Sequence, residues 1–114
     1  MNDLAKKTCI PCQGGVPALP KDKCLELMKN LDGWTIDDNA KRLIKIFKFD
    51  DFKKAIGLAV LIGEMSDEQW HHPELHVGFG HLDIEVWTHK IDGLVESDFI
   101  FCAKVDEICR EYLS

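Results

Sequence analysis

Residues 52–69 read FKKAIGLAVLIGEMSDEQ, and residues 75–87 read LHVGFGHLDIEVW. The first stretch has a helical period. Phe52, Ala55, Ile56, Ala59, Val60 and Gly63 recur at i, i+3, i+4 and i+7, which predicts an amphipathic helix with that stripe in the core. Asp50 or Asp51 is placed to cap it. It should run to about Gln69 and stop before Pro73, because a residue preceding proline avoids helical angles. The second stretch has a period of two. Leu75, Val77 and Phe79 alternate with His76 and Gly78, and Leu82, Ile84 and Val86 alternate with Asp83, Glu85 and Trp87. Each half reads as a strand with one dry face. Gly80-His81 would be the two-residue turn between them, glycine first. Phe79 would close the third strand as a core residue, and His89 would end the fourth.

Outward from this centre the same logic continues. Arg42 to Phe49 is rich in Ile and Phe and predicts a strand, with Phe47 and Phe49 on one face. Asp37-Asp38-Asn39 supplies turn chemistry to a short partner strand at Trp34 to Asp37. Pro20 suits the first turn of a helix with Cys24, Leu27, Met28 and Leu31 on its apolar side, ended by Gly33. A last helix from about Glu96 to Tyr112 carries Phe101, Cys102, Val105, Ile108 and Cys109 inward. Met1 to Leu19, with Gly14-Gly15 and Pro17 in it and Pro20 just after, reads as an irregular leader before a single domain over 20–114. The order helix, two strands, helix, two strands, helix predicts an α+β fold: a four-stranded, mostly antiparallel sheet with three helices packed on one face. The open face, where Trp87 would be exposed, and an unpaired edge strand favour a homodimer or a dimer of dimers.

The chain has 114 residues, 46% hydrophobic and 30% charged, with a formal net charge of −6. An acidic surface without a basic stripe argues against nucleic acid as a partner. The apolar run Ile56 to Ile62 contains one glycine, Gly57, and is too short to span a bilayer, so no membrane association is expected. Met1 to Lys7 has no apolar run of the kind a signal peptide needs, and five cysteines, Cys9, Cys12, Cys24, Cys102 and Cys109, fit reduced thiols. A cytoplasmic protein is expected.

Chemistry concentrates between Asp67 and Asp98. Asp67 lies four residues before His71, His72 and Pro73 follow, and His89 is expected at the end of the fourth strand. Asp98 precedes Phe101, Cys102 and Val105 by three, four and seven residues, which puts it on the inward stripe of the last helix. Imidazoles move protons near neutral pH, and a neighbouring carboxylate fixes their tautomer. Taken alone, Asp98 reads equally as an early-turn carboxylate favoured by the helix dipole, and His76 and His81 as residues without chemistry.

The run Asp67-x3-His71-His72-Pro73-x5-Phe79-x9-His89-x8-Asp98 resembles the signature of the pterin-4a-carbinolamine dehydratases, also known as dimerisation cofactors of a hepatocyte nuclear factor. The likeness extends to Gly33-Trp34, to Phe47-Lys-Phe49-Asp-Asp-Phe52 and to Glu74. The leader Cys9-x-Pro11-Cys12-x-Gly14-Gly15 is similar to that of bacterial members. The resemblance implies dehydration of 4a-hydroxytetrahydropterin to quinonoid dihydropterin, within tetrahydrobiopterin recycling, with no metal or other cofactor. It implies His71 and His89 as the acid–base pair, His72 as a partner of the bound pterin, and Asp67 and Asp98 as orienting groups. Val95 stands where many relatives carry Thr or Ser, so the capping box that presents Asp98 lacks one half. Leu75 and His76 replace bulkier residues.

Three other readings compete. A paralogue could keep the site for another pterin, or serve as a non-catalytic binding or dimerisation cofactor. A metal cage of His71, His72, His76, His81 and His89 is disfavoured because adjacent histidines rarely chelate one ion and no His-x-x-x-His helix exists. Cys9-Ile-Pro-Cys12 lacks the following helix that a redox pair needs, and a second Cys-x-x-Cys for zinc.

Overall fold

A computed structural model describes residues 3–9 and 17–114. The chain forms α1 (Lys21–Met28), β1 (Thr35–Ile36), β2 (Leu43–Lys48), α2 (Phe52–Gln69), β3 (Glu74–Gly78), β4 (His81–Val86) and α3 (Glu96–Leu113), with short 3-10 turns at Asp3–Lys6 and His89–Ile91. The strands make one antiparallel sheet in the order β1-β2-β4-β3. This is the expected α+β arrangement of three helices and a four-stranded antiparallel sheet. Leu43, Leu82, Ile84 and Val86 point from the sheet into the core, where they meet Leu58 and Ile62 of α2 and Phe99, Phe101 and Val105 of α3.

α2 has the limits its sequence predicts. The Asp51 side chain accepts the Lys54 backbone N–H at 2.8 Å, and Trp70, in left-handed backbone, turns the chain off the helix. Its inward face is different from the one expected. Ala55, Leu58, Ile62, Met65 and Ser66 are buried, whereas Phe52, Ile56 and Val60 are exposed. The segment carries two apolar stripes that share Ala55, and both satisfy a 3.6-residue period, so only the position of the sheet selects between them.

Four further details depart from expectation. The β3–β4 turn is Phe79-Gly80, with the positive φ of +81° on glycine in second place. Phe79 is therefore in the turn, 79% exposed rather than core, and His81 opens β4 beside Asp83, Nδ1 to Oδ1 3.0 Å. β4 ends at Val86, and His89 begins a 3-10 turn closed by Asp92 in left-handed backbone and by the Thr88 N–H to the Gly93 carbonyl at 2.9 Å. α1 ends at Met28, short of Leu31, while Gly33 adopts φ +79° over Lys45. Finally, Trp87 is half-buried, not exposed, because Arg42 and His89 lie against its ring.

One polar group in the core supports the fold rather than the chemistry. Asp106, almost fully buried, accepts from Trp34 Nε1 at 2.8 Å, the Asp32 N–H at 3.0 Å and Lys45 Nζ at 3.0 Å. The N-terminal segment covers α3. Leu4, Ala5 and Cys9 are buried, Lys104 Nζ donates to the Ala5 carbonyl, and the Cys9 N–H donates to Gln69 Oε1. Cys12, Gly14 and Gly15 lie outside the described residues. Among those described, no helix is long and apolar enough to cross a membrane.

Candidate active site

The α2–β3 connection, the chain beyond β4 and the first turn of α3 meet at one end of the sheet. His71 follows the left-handed Trp70, and its backbone N–H returns to the Ser66 carbonyl at 3.2 Å. That leaves the residue 7% exposed, with its imidazole tilted against the Phe101 ring at 5.5 Å. Its Nε2 lies 2.6 Å from Asp98 Oδ1. Asp98 is 0% exposed, and its Oδ2 accepts from Thr88 Oγ1 and from the Val95 N–H, each at 2.8 Å. The inward position of Asp98 predicted from helical spacing is thus where the side chain stands. Its contact with Val95 is the one half of a capping box possible when the capping residue has no side-chain acceptor. The other half is replaced by the Asp98 N–H donating to the Val95 carbonyl at 3.1 Å.

An ionised carboxylate only accepts hydrogen bonds. With Asp98 in that form His71 donates from Nε2, and Nδ1 is left as the acceptor. His72, next in sequence, turns to a different carboxylate: its Nε2 is 2.9 Å from Asp67 Oδ1 in an exposed pair. His89 is held by stacking. Its ring lies 4.3 Å from the Trp87 ring with 20° between planes, and the Arg42 guanidinium is 4.1 Å from the same indole. Arg42 Nη2 is in turn 2.7 Å from Asp92 Oδ1. That hydrogen bond and the guanidinium charge hold the Asp92 carboxyl below its ordinary value.

His71, His72 and His89 line one pocket of about 250 Å³ together with Trp70, Trp87, Thr88 and Lys90. Three imidazoles and two indoles around a small opening suit a flat heterocycle that must exchange protons. His76 and His81 are on the open face of the sheet, outside it. A larger cleft of about 760 Å³, bordered by Lys6, Asp106 and Arg110, contains no histidine. Among the described residues no three His, Cys, Asp or Glu side chains converge as a metal ion would require.

The sequence pattern of the family described as Pterin 4 alpha carbinolamine dehydratase matches residues 17–108. The chain belongs to the pterin-4a-carbinolamine dehydratase family. It is 45% identical over 108 residues to a candidate pterin-4-alpha-carbinolamine dehydratase of Rubrobacter xylanophilus, covering 95% of this chain and all of that one. A counterpart from Methylococcus capsulatus is 41% identical, with 95% of each chain covered. In three dimensions the protein is similar to a transcriptional coactivator/pterin dehydratase from Brucella melitensis, with TM-score 0.74 and 28% identity over 81% of this chain and 98% of that one. A pterin dehydratase-like protein identified as a RuBisCO assembly factor shares the fold alone, with TM-score 0.57 and 20% identity over 68% of this chain and 92% of that one.

Within this family member, sequence reasoning missed Thr88, Trp87, Trp70 and Lys90. Thr88 had no signal of its own, since it stands before His89 while its hydroxyl reaches Asp98, the carboxylate of His71. Trp87 faces away from the core by strand alternation. Its place beside Arg42 follows from the β2–β4 register, which pairs Leu43 with Val86, and its other contact is the stack on His89.

Proposed function

We propose that the protein dehydrates 4a-hydroxytetrahydropterin to quinonoid dihydropterin by histidine acid–base catalysis, as a step in tetrahydropterin recycling. The observation that carries this reading is the buried Asp98–His71 pair opening onto a pocket shared with His72 and His89. In the reaction a proton reaches the hydroxyl on C4a and the C4a–O bond breaks. Water leaves, N5 gives up its proton, and the C4a=N5 double bond forms. One group must donate and one accept, and His71 and His89 are the two imidazoles we assign to this exchange. Each is fixed by a different device, the first by Asp98 and the second by the Trp87 stack. His72, more open and backed by Asp67, contacts the bound pterin. The adjacent imidazoles of His71 and His72 turn to separate carboxylates, which favours proton transfer over shared metal ligation.

Self-association belongs to the same proposal. β3 is an edge strand with five residues, and Phe52, Ile56 and Val60 form an exposed apolar stripe on α2. Pairing of the β3 edges about a two-fold axis gives a homodimer, and burial of the α2 stripe gives a dimer of dimers.

The test is to mix purified protein with 4a-hydroxytetrahydropterin and follow quinonoid dihydropterin by absorbance. Acceleration above the spontaneous rate is expected. Pterin binding without acceleration would leave a binding role in place of an enzyme.

A further inference from the structure

Trp70 occupies a position its side chain makes expensive. It has φ 52° and ψ 38°, the left-handed region that glycine and asparagine enter readily and bulky residues rarely do. The backbone task there, donating its N–H to the Asp67 and Ser66 carbonyls to cap α2, needs no particular side chain. Core packing does not explain the indole either, since Trp70 is 75% exposed. Nor does it extend the apolar stripe of Phe52, Ile56 and Val60, because exposed Glu64 and Asp67 interrupt that face. What the indole does border is the pocket containing His71, His72, His89 and Trp87.

We infer that Trp70 is a specificity-determining residue that covers one face of the bound heterocycle at the pocket mouth. This rests on the pterin reading above and adds to it the element that selects a pterin by the conjugated guanidine–amide part of its pyrimidine ring, which stays planar when C4a is tetrahedral. That part presents a π-face to an indole and gains from offset stacking. Trp70 follows directly on α2 and precedes His71, so contact with its ring would also register the ligand against the imidazoles. A ligand of similar polarity without that planar conjugated part loses the contact and binds less well.

The experiment compares Trp70→Asn, which is comfortable in left-handed backbone, with Trp70→Phe, which keeps a ring. Calorimetric binding of biopterin, steady-state turnover, thermal unfolding and light scattering are measured on each full-length protein. Trp70→Asn should raise the biopterin Kd and the substrate KM about two- to tenfold, the range of one aromatic stacking contact. Its unfolding temperature should equal or exceed that of the wild type. Trp70→Phe should recover most of the affinity. Unchanged biopterin affinity in the Asn variant overturns this inference and leaves the dehydratase reading intact. A fall in molecular mass with unchanged affinity overturns it in favour of a subunit contact. A wild-type protein that neither binds biopterin nor turns over defeats both readings together.

Discussion

Replacing Asp98 by Asn tests whether the carboxylate sets the protonation pattern of His71. The side chain accepts three hydrogen bonds within a fully buried environment, from His71 Nε2, Thr88 Oγ1 and the Val95 N–H. Asparagine has the same shape but one acceptor and one donor end. The Val95 N–H is fixed as a donor, so the amide oxygen must take the Oδ2 position. The NH2 group then faces His71 Nε2 at the 2.6 Å site, where two donors would meet. The conflict resolves when the imidazole proton moves to Nδ1. The hydrogen bond survives, but the other ring nitrogen changes from acceptor to donor. Exchange of charge-assisted hydrogen bonds for neutral ones should cost about 1–3 kcal/mol of stability. Loss of one correctly poised acid–base group should lower kcat about 10²–10⁴-fold. Urea unfolding and initial rates on the same preparation read both numbers. A variant with kcat within threefold of the wild type would refute the argument, because the tautomer would then not matter.

Asp106→Ala should cost about 3–5 kcal/mol in urea unfolding, since it removes the counter-charge of the largely buried Lys45 ammonium, leaving it the Asp32 carbonyl, and strands the Trp34 N–H. The folded fraction should keep its turnover. Burial pushes the Cys9 thiol up to about 11 and Cys109 up to about 12. A thiol whose folded value exceeds its unfolded value contributes stability that is complete below about 9 and is lost as pH rises through 11–12. The urea midpoint should therefore show no thiol-linked change from pH 7 to 8.5 and fall above that, and iodoacetamide at pH 8 should modify Cys9, Cys102 and Cys109 only on unfolding. Turnover should survive exhaustive chelation; loss restored by zinc would support metal chemistry instead.

What the sequence made legible is local. The limits of α2 follow from its period, from Asp51 and from Pro73, and the inward position of Asp98 follows from spacing to Phe101, Cys102 and Val105. The motif brings His71, His72 and His89 to one pocket. What escaped is set by tertiary contacts. The inner face of α2 depends on which of two apolar stripes the sheet meets. The place of Phe79 depends on a one-residue choice of turn, and strand alternation cannot reveal that Gly80 takes second position. The hold on His89 comes from the Trp87 ring, which is itself covered by a cross-strand neighbour, Arg42, far away in the sequence. Thr88 is buried by the chain closing on Gly93, not by any periodic pattern.

The central claim is that two particular imidazoles transfer the protons. Turnover of 4a-hydroxytetrahydropterin by His71→Ala, His89→Ala, His76→Ala and His81→Ala, each shown folded by circular dichroism, tests it most directly. About 10²–10⁴-fold lower kcat is expected for the first two and values near the wild type for His76→Ala and His81→Ala, whose side chains lie on the open sheet face. Equal loss in all four, or full activity in His71→Ala and His89→Ala, would contradict it.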